Sequence, residues 1–314
     1  MQSLNTHTND NIPWVEKYRP THFDNIVLDP INRTLFQNIL DRKYFPNLLF
    51  YGPPGTGKTT TVINLIREFQ TRSNQRHQGT LIHLNASDER GIDIIRNQIQ
   101  QFVKSQSMFE TGLKYVILDE VDYMTKNAQQ ALKYLIQTSR YNVRFCLICN
   151  YICKIDVSLK NEFICIRFNQ LPKDEIYKFI KTVAVHENIS LSDVAINAIQ
   201  NMYNSDIRSM INFMQLNQHL VNWDNSIISN IVWDRMHQLF VDNKYSDILD
   251  FIHETSIKYN VDKKTLLTNY FNYIIRNHKE YVTQQFLDTV EVVTHTPDTD
   301  IINLLQYICH HLYA

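Results

Sequence analysis

Glycine runs out early in this chain. Six glycines occur among 314 residues, and none follows Gly112; average usage would give roughly 22. Gly52, Gly55 and Gly57 fall close together, and after Pro54 only Pro172 and Pro297 remain. Tight hairpins need residues at positive φ, which glycine supplies at little steric cost. The C-terminal two-thirds is therefore not expected to form a sandwich, barrel or propeller. Collagen-like and glycine-linker architectures are excluded.

The apolar pattern fits that restriction. From Asn47 to Phe168 short β-rich runs alternate with helical periods. Strands are expected at Asn47–Tyr51, Thr80–Asn85, Tyr115–Leu118, Val143–Cys149 and Phe163–Phe168. Helices are expected at Lys58–Gln70, Ile92–Val103 and Asn127–Gln137, the first with Val62, Leu65, Ile66 and Phe69 on one face. Strand–helix alternation without hairpin signals predicts βαβ units and a mainly parallel sheet, an α/β fold. Pro172 opens a helical regime: Lys173–Val185, Ser192–Tyr203 with Ser192 as N-cap, and Asp206–Leu220. Trp233 to Leu312 is helical as well. It carries apolar stripes at Ile248, Phe251 and Ile252, at Leu267, Tyr270, Phe271, Ile274 and Ile275, and at Ile301, Leu304, Leu305 and Ile308. Thr296-Pro297-Asp298 separates the last two helices. These stripes read as core or as an oligomer interface. Residues 1–12 read as a disordered terminus.

The glycine cluster carries the chemistry. Gly52-Pro53-Pro54-Gly55-Thr56-Gly57-Lys58-Thr59 matches the phosphate-binding pattern GxxxxGK[ST], after an expected strand and before an expected helix. Thr60 follows it directly. Backbone N–H groups in such a loop wrap a β-phosphate, and the helix N-terminus favours the anion. Lys58 supplies charge to the β- and γ-phosphates, and the Thr59 hydroxyl is a Mg²⁺ ligand. Tyr115-Val-Ile-Leu118-Asp119-Glu120 is the partner: an apolar strand ending in two carboxylates, about 60 residues downstream. Asp119 is placed to hold the metal and Glu120 to activate an attacking water. Asn150, at the end of Val143–Cys149, is a candidate to position that water, and Arg208 a candidate to reach the γ-phosphate. Taken alone, each is equally a strand-end amide or a surface arginine.

Charge and cysteine content bound the alternatives. A net charge of −1 excludes a generic basic nucleic-acid coat, though not a local basic patch. Five cysteines, an odd number, fit a reducing compartment. Cys146, Cys149 and Cys153 lack a matching ligand pair and read as structural thiols, not a zinc site. The scattered histidines read as surface or core. No run is long and apolar enough to span a bilayer, and no secretory signal core is present.

Several segments together resemble a known family, the small subunits of replication factor C, the AAA+ clamp loader. Pro13-Trp-Val-Glu-Lys-Tyr-Arg-Pro20 resembles the family's N-terminal signature. Leu84-Asn-Ala-Ser-Asp-Glu-Arg-Gly-Ile92 resembles the box after its second strand. Asp119-Glu120-Val121-Asp122 resembles its Walker B, with Val for Ala. Ala128-Gln-Gln-Ala-Leu132 and Arg144-Phe-Cys-Leu-Ile-Cys-Asn150 resemble the following helix and the sensor-1 strand. Ser205-Asp206-Ile207-Arg208 resembles sensor 2, with Ser for Gly. The resemblance runs from Pro13 to about Gln215; beyond it the match is by pattern only.

The resemblance implies a RecA-like AAA+ P-loop domain with a parallel sheet over 13–169, a three-helix lid over 170–230 and an all-α collar over 231–314. It implies ATP and Mg²⁺ as cofactors, and Mg-dependent ATPase activity within a hetero-oligomer, a pentamer in this family. The other implied partners are a sliding clamp and primer–template DNA bound without sequence specificity. The implied location is intracellular, at the site of DNA replication, or the nucleus if the source is eukaryotic or viral. It implies that Val15, Tyr18 and Arg19 lie near the nucleotide and Ile26 and Val27 by the adenine. Arg90 and Arg96 fall where the DNA-facing helix lies, with Lys126 and Lys133 beside it. Each of these four basic residues also reads as a solvated helix face. Met108 and Phe109 fall where a clamp contact or a plain packed loop is expected.

One departure stands out. Counting from Asn150, with Arg167-Phe168 as the downstream anchor, the family's Ser-Arg-Cys triplet falls on Asn161-Glu162-Phe163. Glu162 then stands where an arginine reaches a neighbour's nucleotide, with Lys160 two residues away. A carboxylate about 4 Å from a phosphate repels it by roughly 4 kcal/mol per unit charge at an effective dielectric of 20. Two other readings stand beside the clamp-loader subunit. One is a different AAA+ DNA motor, such as a branch-migration helicase or an origin-loading ATPase. The other is a structural subunit that binds ATP without hydrolysing it.

Overall fold

The structure is a computed structural model. It describes residues 12–74, 80–87, 94–105, 112–139, 142–220, 223, 227–242, 244–259, 261–296 and 301–312. The expectations for residues 1–11, for Arg90, for Met108 and Phe109, and for Pro297-Asp298 lie outside these.

The chain divides into two compact units, Met1–Glu187 with Met202–Gln218, and Asn188–Asn201 with His219–Ala314. The first is built on five strands: β1 Leu48–Tyr51, β2 Leu81–Asn85, β3 Lys114–Asp119, β4 Val143–Cys149 and β5 Ile164–Arg167. Their order is β2-β3-β4-β1-β5, and each pairing is parallel. Parallel strands covered on both faces read as continuous apolar runs rather than alternations. That is why Leu48–Phe50 and Tyr115–Leu118 are wholly buried. The register sets Leu49 beside Leu147 and Cys165, and Leu118 beside Leu84 and Leu147.

Helices cover the sheet. α1 is Trp14–Lys17, α2 Pro30–Asp41, α3 Lys58–Arg72, α4 Gln100–Lys104, α5 Lys126–Thr138 and α6 Val157–Lys160. One apolar layer gathers Phe36, Phe45, Phe50, Phe69, Tyr115 and Phe168. Phe36 stacks on Phe50 with centroids 5.7 Å apart, and Phe45 meets Phe69 edge-on at 5.2 Å. The other layer holds Val116, Leu118, Leu132, Leu135, Phe145 and Leu147. The expected helix Ile92–Val103 differs: Ile94–Ile99 is wound as a π-helix and only Gln100–Lys104 is α.

Three further helices follow: α7 Lys173–His186, α8 Asp193–Tyr203 and α9 Ile207–Leu216. Ser192 caps α8 as the sequence predicts, its Oγ accepting from Ala195 N at 3.0 Å. Asp206 caps α9, its carboxylate accepting from Ser209 N at 3.0 Å and Ser209 Oγ at 2.8 Å. α9 stops at Leu216, four residues short of the expected end.

Within the second unit, α10 Asn230–Val241, α11 Tyr245–Tyr259, α12 Lys263–Asn277, α13 Gln284–His295 and α14 Ile301–His311 surround a core of Leu266, Leu267, Tyr270, Phe271, Phe286 and Leu305. His237 Nδ1 lies 3.1 Å from Tyr270 Oη inside it. Ile275 departs from the expected stripe: it is exposed, while Phe271 and Ile274 are buried. One residue's step past Ile274 turns it about 100° away from the core.

Candidate nucleotide-binding site

The loop between β1 and α3 has no room for a side chain at two of its glycines, Gly52 and Gly55. A Cβ on Gly52 would lie 1.9 Å from Phe168 O. A Cβ on Gly55, whose φ is +71°, would lie 1.7 Å from Asp206 Oδ1. Ile207 N donates to Gly55 O at 3.2 Å, so the start of α9 closes directly on this loop. At Gly57 a Cβ would meet nothing within 4 Å; open space lies beside the N-terminus of α3.

Lys58 opens α3 and is buried. Its Nζ donates to Gly52 O at 2.8 Å, to Pro53 O at 2.7 Å and to Asn150 Oδ1 at 3.0 Å. Burial pushes its ammonium below the usual lysine range, against the pull of Asp119. Beside it Thr59 Oγ1 donates to Asp119 Oδ2 at 2.7 Å. Glu120 N donates to Asp119 Oδ1 at 3.0 Å. Glu120 itself sits at φ 56°, a left-handed conformation that costs a non-glycine residue roughly 1–3 kcal/mol. The chain turns there directly after β3, and Glu120 lines the cleft.

The tips of β3 and β4 are tied together below this pair. Asp122 Oδ2 accepts from Tyr151 N at 3.4 Å. Buried Gln129 of α5 donates to Met124 O at 3.2 Å and Lys154 O at 3.1 Å, and accepts from Asp156 N at 2.8 Å. The loops that carry Glu120 and Asn150 are thereby held as one piece.

Residues expected from distant parts of the sequence line one cleft. Val15, Tyr18, Arg19, Ile26 and Val27 meet Pro54, Gly55, Thr56, Gly57, Lys58, Thr59 and Thr60, with Asp119, Glu120, Asn150 and Arg208. Gly52 and Pro53 contribute carbonyls to Lys58 instead of wall. Pro20, Phe179, Ile207 and Ile211 also line it and were not singled out by the sequence. The N-terminal segment is fastened there. Trp14 N donates to Gln215 Oε1 at 3.0 Å, and Asn64 Nδ2 donates to Pro20 O at 2.8 Å. Lys17 Nζ donates to Glu187 Oε1 at 2.6 Å, which also accepts from Tyr18 Oη. Burial and then that carboxylate push the Tyr18 phenol far above its usual range. His83 of β2 is a further neighbour the sequence did not flag, its Nε2 3.9 Å from Asp119 Oδ2.

The group best matched to this cleft is a nucleoside triphosphate with Mg²⁺. Gly57, with open space at its Cα, and buried Lys58 line the same cleft, and two hard oxygen donors, Thr59 Oγ1 and Asp119 Oδ2, stand side by side. Among the described residues no group of three or more His, Cys, Asp or Glu is placed to hold a metal ion.

The remaining candidates behave differently. Ser205 is buried and its Oγ accepts from Leu171 N at 2.8 Å. The positive φ falls on Asn204, at 54°, so the serine occupies no position reserved for glycine. Lys126 is exposed and Lys133 half-buried. Asp156 is held below the usual carboxylate range by bonds from Ser158, with Lys133 and Lys126 adding to the effect. Arg96 lies in the π-helical segment, its side chain outside the described residues. Glu162 Oε1 accepts from Gln137 Nε2 at 2.7 Å.

Comparison with known proteins agrees with this architecture. Residues 48–170 match the model of the ATPase family associated with various cellular activities (AAA). Replication factor C subunit 3 of Saccharomyces cerevisiae is 40% identical over 213 residues, 68% of this chain and 62% of that protein. Replication factor C subunit 5 of Homo sapiens is 38% identical over 205 residues, 65% of this chain and 60% of that protein. Replication factor C small subunit 2 of Pyrobaculum islandicum is 39% identical over 204 residues, 65% and 62% of the two. The chain thus spans a little over three-fifths of the length of these curated relatives. The Thermotoga maritima RuvB Holliday junction branch migration motor shares the fold, with a TM-score of 0.52 at 15% identity over 82% of this chain and 91% of that one. The likeness to these replication factor C subunits spans 204 to 213 residues, well beyond the 123 residues of the AAA match, so what the chain shares with them exceeds the nucleotide-binding core alone.

Proposed function

We propose that this protein is the ATP-binding, ATP-hydrolysing subunit of a hetero-oligomeric clamp loader that opens a sliding clamp and loads it onto primer–template DNA. The observation that carries the reading is the junction of Lys58, Thr59, Asp119 and Asn150 at one end of the cleft, in a chain 40% identical to a replication factor C subunit. The bound Mg²⁺ would neutralise charge on the β- and γ-phosphates. Thr59 and Asp119 would hold it, and Lys58 would exchange its own loop carbonyls for phosphate oxygens. Glu120 would take the proton of the attacking water, and Asn150 would orient that water. Arg208, from α9, would approach the γ-phosphate. Val15, Tyr18, Arg19, Ile26 and Val27 would enclose the nucleoside.

In this reading residues 13–169 are the AAA+ domain, 170–230 the lid and 231–314 the collar that joins subunits, a pentamer in all. Arg90, Arg96, Lys126 and Lys133 would contact DNA phosphates without reading sequence. The protein would act where DNA is replicated. Among the described residues no helix is long and apolar enough to cross a membrane. A Glu162 carboxylate at the expected trans-arginine position favours a subunit that binds ATP itself but does not complete a neighbour's site.

The test is ATPase activity of the reconstituted complex, with and without primer–template DNA and a clamp. Stimulation that disappears in Lys58→Ala supports the reading. Unwinding of branched DNA would instead identify a branch-migration motor. Turnover indifferent to Glu120→Gln, with ATP still bound, would identify a structural subunit.

A further inference from the structure

The cleft has a polar feature at its nucleoside end that the phosphate chemistry does not use. Ile26 and Val27 line it, and both are buried. Ile26 N donates to Phe23 O at 3.3 Å, and Ile26 O accepts from Arg33 Nη2 at 2.5 Å. Both backbone groups of Ile26 are therefore engaged. Among the described residues the Val27 N–H donates to nothing. The Ile26–Val27 peptide is trans, so its C=O and N–H point in opposite directions. Fixing the carbonyl on Arg33 fixes the amide on the opposite side.

Arg33 is well placed to hold that orientation. It lies in the first turn of α2, does not line the cleft, and reaches back seven residues to Ile26. The turn itself is anchored. Asp29 caps it by accepting from Ile31 N at 2.9 Å, and Asn32 Nδ2 donates to Arg167 O at 2.9 Å, at the end of β5. The donor on Ile26 O thus belongs to a helix fixed to the sheet.

A lone N–H donor against a purine edge discriminates between bases. Adenine presents N1 as an acceptor, whereas guanine and hypoxanthine present N1–H, which would leave two donors facing each other. A peptide turned the other way would present the Ile26 carbonyl and reverse the preference. We infer that Arg33 is the positioning residue for nucleobase selectivity: by holding the Ile26 carbonyl it aims the Val27 N–H at the adenine N1 and excludes bases protonated there.

The inference rests on the nucleotide-binding reading, and the experiment separates the two. Equilibrium binding of ATP and ITP, which differ at the six-position and hence in N1 protonation, is measured on the full chain for wild type, Arg33→Ala and Arg33→Lys. Tripolyphosphate serves as a probe with no base, and thermal melting reports folding. Wild type is expected to favour ATP over ITP by about 10- to 100-fold, the discrimination of one mispaired buried polar group. Arg33→Ala is expected to narrow that ratio to below about 3-fold while tripolyphosphate affinity stays constant; Arg33→Lys, which keeps a donor, restores most of it. An unchanged ratio in a folded Arg33→Ala variant overturns the inference, and so does wild type that binds ATP and ITP equally; either leaves nucleotide binding standing. Wild type that binds tripolyphosphate but neither nucleotide overturns both.

Discussion

Lys58 Nζ and Asn150 Oδ1 stand 3.0 Å apart, joining the first residue of α3 to the tip of β4. The contact ties the lysine of the glycine-rich loop to a second strand tip. With Gly52 O and Pro53 O as its other partners, the buried ammonium is satisfied by the protein itself. A buried cation without partners would be costly; these three acceptors offset that cost. Under the proposed function, a triphosphate would have to compete with three existing bonds for the same three donor hydrogens.

The first prediction concerns that amide. Asn150→Ala removes one partner of Lys58 and, under the proposed function, the group that would orient the attacking water, but leaves the two carbonyls. Turnover is expected to fall by about 10²–10³, the usual loss for one oriented polar group in an active site, with nucleotide affinity changing far less. Steady-state kcat and KM of the reconstituted complex check it. An equal loss in affinity would mean that Asn150 acts in binding.

Gly55 gives a second prediction. A methyl group there meets the carboxylate that caps α9 and sits at φ +71°. Gly55→Ala is expected to destabilise the chain by about 1–3 kcal/mol and to shift Arg208 with the displaced helix start. Thermal melting measures the first effect. Loss of ATP protection against proteolysis near Ile207 measures the second.

A third follows from Gln129. Its replacement by Leu keeps the volume but leaves Met124 O, Lys154 O and Asp156 N without this partner. Each buried group left unpaired costs about 1–3 kcal/mol, so urea unfolding is expected to show a loss on the order of 3 kcal/mol. Because the amide ties the Glu120 and Asn150 loops, turnover should fall in the residual folded protein as well.

How much of this was legible beforehand depended on distance along the chain. The strand–loop–helix from Leu48 to Arg72 declares itself, because one contiguous run carries the apolar strand, the glycines and the lysine. β3 and β4 are equally plain: buried parallel strands are unbroken apolar runs. Phe179, Ile207 and Ile211 were not legible as cleft residues, because an apolar residue on an amphipathic helix carries no mark of whether it meets core or ligand. The substitution of Ser for Gly at 205 did not reveal that the neighbouring Asn204, a residue that tolerates the left-handed region, takes the positive φ. The π-helical turn at Ile94–Ile99 has no signal in apolar periodicity, which an α-helix satisfies as well.

Acidity supplies a fourth prediction. Burial raises the pKa of Glu187, but the bonds from Lys17 and Tyr18 outweigh it and leave the carboxyl below its usual range. A depressed carboxyl stabilises the fold above its unfolded pKa, about 4.3, and that contribution is lost as pH falls through the lower folded value. The N-terminal segment is therefore expected to loosen only below about pH 4. Thermal midpoints from pH 3 to 6 should show a steeper acid loss for wild type than for Glu187→Gln. Parallel curves would mean that the contact adds nothing.

The last prediction concerns the edge that carries Glu162. Its carboxylate accepts from Gln137 of α5 at 2.7 Å, so it is turned toward its own helix and occupied there. Under the clamp-loader reading, a carboxylate at that position cannot stabilise charge developing on a neighbour's phosphate, whereas an arginine supplied in trans is worth 10³–10⁵ in rate. Glu162→Ala in the reconstituted complex is therefore expected to leave the neighbour's ATPase within about 2-fold of wild type, the scale of a lost surface contact. A large fall would mean that this edge does serve the neighbouring site, with Lys160, half-buried two residues away, as the next group to replace. Lysine lacks the planar two-pronged guanidinium, so Lys160→Arg would then be expected to raise that rate, and Lys160→Ala to abolish it.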